Sequence, residues 1–166
     1  MYEMQTSKDE WREMIYKLYF DGSCKGPQTE RRIGMGLVIY RDDNVIFEKA
    51  WTQDDDNLTN NVAEYKALMY GLFTLKHIFN RKEDTLEIYG DSKLVIEQVQ
   101  GNWKVDMKHL KSKTIACQIL IREMGESKIK LEWIPREQNK IADKLAQDAS
   151  DGIERCSDKE NWWRQS

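Results

Sequence analysis

Hydrophobic and polar residues alternate along the first part of the chain, and this period of two predicts β-strands. The first strand is predicted over 15–21, a segment rich in β-forming residues that is followed by Gly22. A second strand is predicted over 33–40, and a third over 45–52 returns after a turn rich in Asp and Asn. The chain is therefore expected to begin with a three-stranded meander.

After the meander, the spacing of apolar residues lengthens to that of a helix, with one apolar face over 60–80. Beyond it the pattern predicts a strand over 86–90, a short helix over 92–100, a helix that ends at Gly125, a strand over 129–133 and a last helix over 139–149. The element order is βββαβααβα. With right-handed crossovers, this order predicts an α/β fold with a mixed five-stranded sheet.

Composition fits one soluble domain, predicted over 14–150, with a polar N-terminal extension over 1–13 and a C-terminal tail over 151–166 that contains Trp162 and Trp163. No apolar run approaches the roughly 20 residues that span a bilayer, and the first dozen residues lack a secretory pattern. A cytoplasmic protein is therefore expected. The three cysteines are far apart and show no metal-binding spacing, which predicts free thiols.

The net charge of −3 does not itself favour nucleic-acid binding, because domains of that class are usually basic. One local cluster of positive charge stands out against a single acid, Asp106; it consists of Lys104, Lys108, His109, Lys111 and Lys113. The cluster is consistent either with a modest basic patch or with the solvated start of a helix.

Two carboxylates are expected to meet at one edge of the sheet. Asp21 closes the first predicted strand and Asp91 closes the fourth. If these strands are parallel neighbours, the two acids lie roughly one strand spacing, about 5 Å, apart, where open α/β sheets bind ligands. Each also has a local explanation, because Asp21 could belong to a turn and Asp91 could cap the helix that begins at Ser92.

Two further acids, Glu64 and Asp143, lie on predicted helices. Glu64 could simply favour the helix dipole, and Asp143 could belong to a solvated face with Lys140, Lys144 and Gln147. Carboxylates that are forced together repel, and a cation relieves that repulsion. Oxygen-rich ligands without sulfur suit Mg²⁺ or Mn²⁺.

Four segments, at 19–23, 59–64, 89–92 and 139–143, resemble in sequence and order the type 1 ribonuclease H family. The resemblance implies that family's sheet, with strand order 3-2-1-4-5 and strand 2 antiparallel to its neighbours. It also implies hydrolysis of the RNA strand of RNA–DNA hybrids by two Mg²⁺ ions, with Mn²⁺ as a substitute, leaving 5′-phosphate and 3′-hydroxyl ends. A monomer that needs no obligate protein partner is expected.

By this resemblance, the four acids have separate roles as catalytic and metal-binding residues. Asp21 is expected to bridge both metals, and Asp143 to complete the site that activates the attacking water. Asp91 and Glu64 are expected to hold the metal near the leaving oxygen, with Glu64 also close to the ribose 2′-hydroxyl, which distinguishes RNA from DNA.

The resemblance also implies a set of substrate-binding residues, which are Gly22, Ser23, Asn60, Asn61, Lys93, Trp103 and Lys104. Asn60 and Asn61 match residues that read the minor groove, although a role in capping the helix is equally open. Trp103 and Lys104 lie where many relatives carry a longer basic protrusion. Lys93 replaces a glutamine that is common in the family, which leaves that contact open.

Three auxiliary residues are expected in the loop before the last helix. Asn139 matches a position close to the metal that binds water, with capping of the helix as the alternative. Many bacterial members have a histidine in this loop, whereas this chain has none. Arg136 and Glu137 are the candidates to replace it.

Two other interpretations differ in what they leave unexplained. A transposase-type nuclease of the same fold would pair Asp91 with Glu126, but Glu126 falls in a predicted loop, and Glu64 and Asp143 would then have no role. A non-catalytic hybrid-binding module would not need all four acids, and none is missing.

Overall fold

The structure is a computed structural model that describes residues 12–161. Its strands are β1 (Ile15–Lys25), β2 (Arg32–Arg41), β3 (Asn44–Trp51), β4 (Thr85–Gly90), β5 (Ile129–Trp133) and β6 (Arg155–Asp158). Its helices are α1 (Asn60–Lys76), α2 (Lys93–Val99), α3 (Lys108–Met124) and α4 (Lys140–Ser150). Most of the predicted N-terminal extension and both tail tryptophans lie outside the described residues.

The strands form one mixed sheet in the order β5-β4-β1-β2-β3-β6. β4 is parallel to both β1 and β5, whereas β2 is antiparallel to β1 and β3. The predicted order 3-2-1-4-5 is therefore confirmed. The pairing of β1 with β4 ends at Phe20 and Gly90, so Asp21 and Asp91 emerge together at the same end of the two strands.

Two predictions about the strands are wrong. β1 does not stop at Gly22 but continues to Lys25, because the residues after Asp21 still pair with β2 where β4 has ended. The sheet has six strands rather than five, since part of the predicted tail pairs with β3 as β6. β6 is short and polar, and its backbone hydrogen bonds to β3 carry no apolar period that a sequence pattern could reveal.

The helices cover the two faces of the sheet unequally. The main core lies between the sheet and helices α1 and α3, and it includes the fully buried Leu18, Phe20 and Tyr65. α4 packs on the opposite face against β2, where a side chain at Gly36 would place its Cβ only 2.4 Å from the carbonyl oxygen of Ala142. The alternate glycines of β2 thus allow α4 to approach the strand backbone closely.

Two expectations drawn from composition can be compared with the described part of the chain. None of its helices combines the length and apolar character that crossing a membrane requires. Cys24, Cys117 and Cys156 are free thiols at half-buried, buried and exposed positions, as predicted.

Candidate active site

A cleft of about 540 Å³ opens where β1 and β4 diverge. Its lining includes all four predicted acids and several polar neighbours: Asp21, Gly22, Ser23, Cys24, Lys25, Asn60, Asn61, Glu64, Asp91, Ser92, Arg136, Asp143 and Gln147. The cleft thus lies at the carboxyl ends of parallel strands, as expected for a ligand site in an open α/β sheet.

Three of the acids converge on one point. One carboxylate oxygen from each of Asp21, Glu64 and Asp91 lies within 4.8 Å of the other two. Asp21 is 4% exposed and Glu64 is 7% exposed. Gly22 makes the approach possible, because a Cβ there would lie 2.3 Å from the backbone nitrogen of Glu64. A missing side chain on β1 therefore lets α1 carry Glu64 up to Asp21.

The local explanations for these acids do not agree with the structure. Asp21 lies within β1 rather than in a turn. Ser92, not Asp91, caps α2, because its hydroxyl accepts a hydrogen bond from the N–H of Val95. Glu64 is buried beyond the first turn of α1 and does not face solvent near the helix N-terminus.

Burial and mutual repulsion make the three acids reluctant to ionise together. Burial raises the pKa of Asp21 to about 7, with the charge of Asp91 adding to the effect. Burial, and then the charge of Asp21, raises the pKa of Glu64 well above its ordinary value. Burial likewise raises the pKa of Asp91. A site of this kind gains stability from a nearby positive charge.

A divalent cation fits the cluster. Among the described residues, Glu64 Oε2 is one of two buried side-chain polar atoms without a hydrogen-bond partner. Such atoms are rare in folded proteins, because an unsatisfied buried polar group costs about 1–3 kcal/mol. Three carboxylates with one oxygen still free to bind suit a hard cation such as Mg²⁺ or Mn²⁺.

Asp143 lines the cleft but is held differently from the other three acids. Its Oδ1 accepts a hydrogen bond from Arg136 at 3.2 Å, and its Oδ2 accepts one from Gln147 at 3.0 Å. Arg136 is largely exposed, whereas the Asp143 side chain is 24% exposed. Sequence reasoning had placed Gln147 only on a solvated helix face, although its spacing of four from Asp143 allows this contact.

Asn139 supports the site from behind. Its side-chain Nδ2 donates to the carbonyl oxygen of Phe20 at 2.9 Å and to Asp91 Oδ2 at 3.4 Å. It makes no side-chain capping bond to α4, so the capping alternative is wrong. Asn139 is 1% exposed and links the end of β1 to the carboxylate that follows β4.

The other predicted residues divide into those that line the cleft and those that do not. Gly22, Ser23, Asn60 and Asn61 line it, and Thr59 rather than Asn60 caps α1 through a bond from the N–H of Val62. The residues outside its lining are the exposed Lys93, Trp103, Lys104 and Glu137. Lys104 forms an ion pair with Asp106, and Glu137 lines a separate cavity of about 440 Å³.

The raised pKa values predict how the stability of the metal-free protein depends on pH. Below about pH 7 the native state holds a proton on Asp21 that the unfolded chain releases above its ordinary pKa of 3.8. The free energy of unfolding is therefore expected to fall as pH rises from about 4 to about 7, by at most about 4 kcal/mol for this group. Thermal unfolding in EDTA at about pH 5 and pH 8 measures the fall.

Asp21→Asn has no proton to release at this position and is expected to lose less stability over the same range. An equal fall in the variant and the parent protein would contradict this assignment. Glu64 acts in the same direction in both proteins, so the comparison isolates the contribution of Asp21.

Residues 19–149 match the family described as reverse transcriptase-like. The chain is 36% identical over 131 residues to the bifunctional protein Rv2228c of Mycobacterium tuberculosis, an alignment that covers 79% of this chain and 34% of that protein. It spans about a third of the length of this relative. A ribonuclease H of Clostridium botulinum is 30% identical over 149 residues, covering 81% of this chain and 94% of that protein.

Solved structures agree with these sequence matches. The N-terminal RNase H domain of the M. tuberculosis protein, solved as a fusion with maltose binding protein, has a TM-score of 0.72 at 33% identity, covering 84% of this chain and 96% of that one. LC11-RNase H1, isolated from compost, was solved in complex with an RNA/DNA hybrid. That complex has a TM-score of 0.69 at 32% identity, covering 84% of this chain and 97% of that one.

Proposed function

This chain belongs to the reverse transcriptase-like family and has type 1 ribonucleases H among its relatives, and from that premise we propose that it is a metal-dependent endoribonuclease acting on RNA–DNA hybrids. The observation that carries the proposal is the convergence of Asp21, Glu64 and Asp91 around a free, buried carboxylate oxygen. Nothing in this arrangement is needed for folding, since repelling buried acids destabilise a native state.

The proposed chemistry is hydrolysis of the RNA strand to 5′-phosphate and 3′-hydroxyl ends. Two bound Mg²⁺ ions, or Mn²⁺ in their place, would stabilise the charge on the attacking and leaving oxygens of an in-line displacement. Asp21 would ligate both ions, and Asp143 would ligate the ion on the side of the attacking water. Glu64 and Asp91 would ligate the ion on the leaving side, and Glu64 would also approach the ribose 2′-hydroxyl.

Neighbouring residues are proposed to orient these acids and the substrate. Asn139 fixes Asp91, while Arg136 and Gln147 hold Asp143. Arg136 is exposed at the cleft and can approach a phosphate as Asp143 turns to a metal. The hybrid would contact Gly22, Ser23, Asn60 and Asn61 in the cleft and then Lys93, Trp103 and Lys104, with Glu137 as a further auxiliary candidate.

The proposal is tested with an end-labelled RNA–DNA hybrid in Mg²⁺ or Mn²⁺. We expect cleavage of the RNA strand that stops in EDTA, and no cleavage of single-stranded RNA or duplex DNA of the same sequence. Analysis of the fragment ends should give 5′-phosphates. Folded protein that binds the hybrid but leaves it intact with both metals would instead support a non-catalytic binding module.

A further inference from the structure

A compact group of three charged side chains lies on the far side of α1 from the sheet edge. Asp55, in the loop between β3 and α1, accepts contacts from Lys66 of α1 at 3.2 Å and from Lys113 of α3 at 3.4 Å. The three side chains are only 13–14% exposed. We call this group the Asp55 clamp.

Both lysines reach the same oxygen, Asp55 Oδ2, while Oδ1 accepts a hydrogen bond from the N–H of Asn57 at 2.9 Å. Burial opposes ionisation, but the bond from Asn57 and the two lysines outweigh it and lower the pKa of Asp55. The carboxylate therefore stays charged at neutral pH and ties three segments together. Such a half-buried, multiply bonded ion pair is worth more than an exposed one.

The loop that Asp55 fixes runs directly into the cleft. Two residues after Asn57, Thr59 caps α1, and Asn60 and Asn61 follow on the cleft lining. The end of this loop is otherwise held near Leu58, whose carbonyl oxygen accepts from Cys24 and Arg31, both at 3.5 Å. The clamp is thus the short, charged restraint on the path that the chain takes towards Asn60.

The other arm of the clamp fixes the start of α3. Lys113 lies one turn beyond the exposed Lys108, and Lys111 is exposed on the same helix. Lys113 itself was predicted to belong to the basic cluster, but its charge is already neutralised by Asp55. The clamp therefore sets the distance between the polar start of α1 and the basic start of α3.

We propose that Asp55 is a positioning residue that holds the cleft-lining asparagines and the basic start of α3 at the spacing needed to bind one nucleic-acid duplex. The inference rests on the proposed function, because it names the restraint behind hybrid binding. Asp55 does not touch the reacting groups, so it governs binding of the hybrid rather than the chemical step.

Charge and position make opposite predictions for Asp55→Asn. Removing an acid and freeing two lysines adds local positive charge, which alone would tighten hybrid binding and lower KM. Loss of the restraint instead weakens binding and raises KM, with kcat retained, because ground state and transition state lose the same contacts.

The test is steady-state cleavage of the hybrid by four proteins: the parent, Asp55→Asn, Asp56→Asn and the double variant Asp55→Asn/Lys113→Gln. We expect Asp55→Asn to raise KM about tenfold with kcat within about twofold. Asp56 is an exposed acid of the same loop, so Asp56→Asn makes the same charge change and should leave KM unchanged. The double variant restores the local charge but not the restraint, and its KM should remain high.

An unchanged or lowered KM for Asp55→Asn, or a double variant with the parent KM, would overturn the inference. If thermal unfolding shows that Asp55→Asn is unfolded at the assay temperature, the double variant decides, because it leaves one unpaired lysine fewer. A parent protein that does not cleave the hybrid would contradict the proposed function itself, which keeps the two failures distinct.

Discussion

Asp91→Asn is expected to lower the rate of hybrid cleavage by roughly 10³-fold, because losing one ligand of a two-metal site removes several kcal/mol of transition-state stabilisation. The amide keeps the size of the side chain but brings no negative charge to the cluster with Asp21 and Glu64. Asp91 is partly buried, and burial raises its pKa, so replacing it by a neutral group should not destabilise the fold.

The measurement is single-turnover cleavage of the hybrid, with thermal unfolding and hybrid binding recorded on the same preparation. Asp43→Asn is the matched control, since Asp43 is an exposed acid in the β2–β3 turn, whose left-handed backbone asparagine accepts. It should cleave at the parent rate. Retention of more than about a tenth of the activity by Asp91→Asn would remove Asp91 from the metal site.

Gly36→Val is expected to give the largest loss of stability, about 3 kcal/mol or more, with a fall in Tm of about 6–12 °C. A Cβ at this position would lie 2.4 Å from the carbonyl oxygen of Ala142 and 2.5 Å from the backbone nitrogen of Ala146. Both atoms belong to the backbone of α4, which cannot yield by rotating a side chain. The helix must shift, and it carries Asp143 with it, so cleavage should fall as well.

Differential scanning calorimetry of Gly36→Val and Gly101→Asn checks this expectation. Gly101 has a positive φ of 83° but no atom within 4 Å of an added Cβ, and asparagine tolerates that backbone. The control should therefore stay within a few degrees of the parent protein. A similar Tm for Gly36→Val and the parent would mean that α4 packs less closely on β2 than the structure shows.

The strands and helices of the domain were predictable because their apolar periods are regular. The convergence of Asp21 and Asp91 followed from parallel neighbours that each end in an acid. Glu64 and Asp143 were connected to them through resemblance to a family, since helix spacing alone left a solvated face equally open. In the structure both acids line the cleft with Asp21 and Asp91.

Contacts between distant segments were beyond the reach of sequence patterns. Lys113 belongs to a basic run in the sequence, yet its charge pairs with Asp55, 58 positions earlier by residue number. Asn139 looked like a helix cap because it precedes α4, whereas tertiary contacts direct its amide to Phe20 and Asp91. β6 was missed for a related reason, since a polar edge strand is specified by its neighbour rather than by its own period.

β6 also affects how the sheet meets other molecules. It covers the outer edge of β3 with backbone hydrogen bonds over Phe47–Ala50 and is itself only four residues long. An uncovered edge strand invites pairing with a second chain, and short, charged edges discourage it. At the opposite edge, β5 has five residues and carries the ion pair of Lys130 with Glu132. The described sheet thus has two edges that are poor templates for aggregation, which favours a protein that remains dispersed when concentrated.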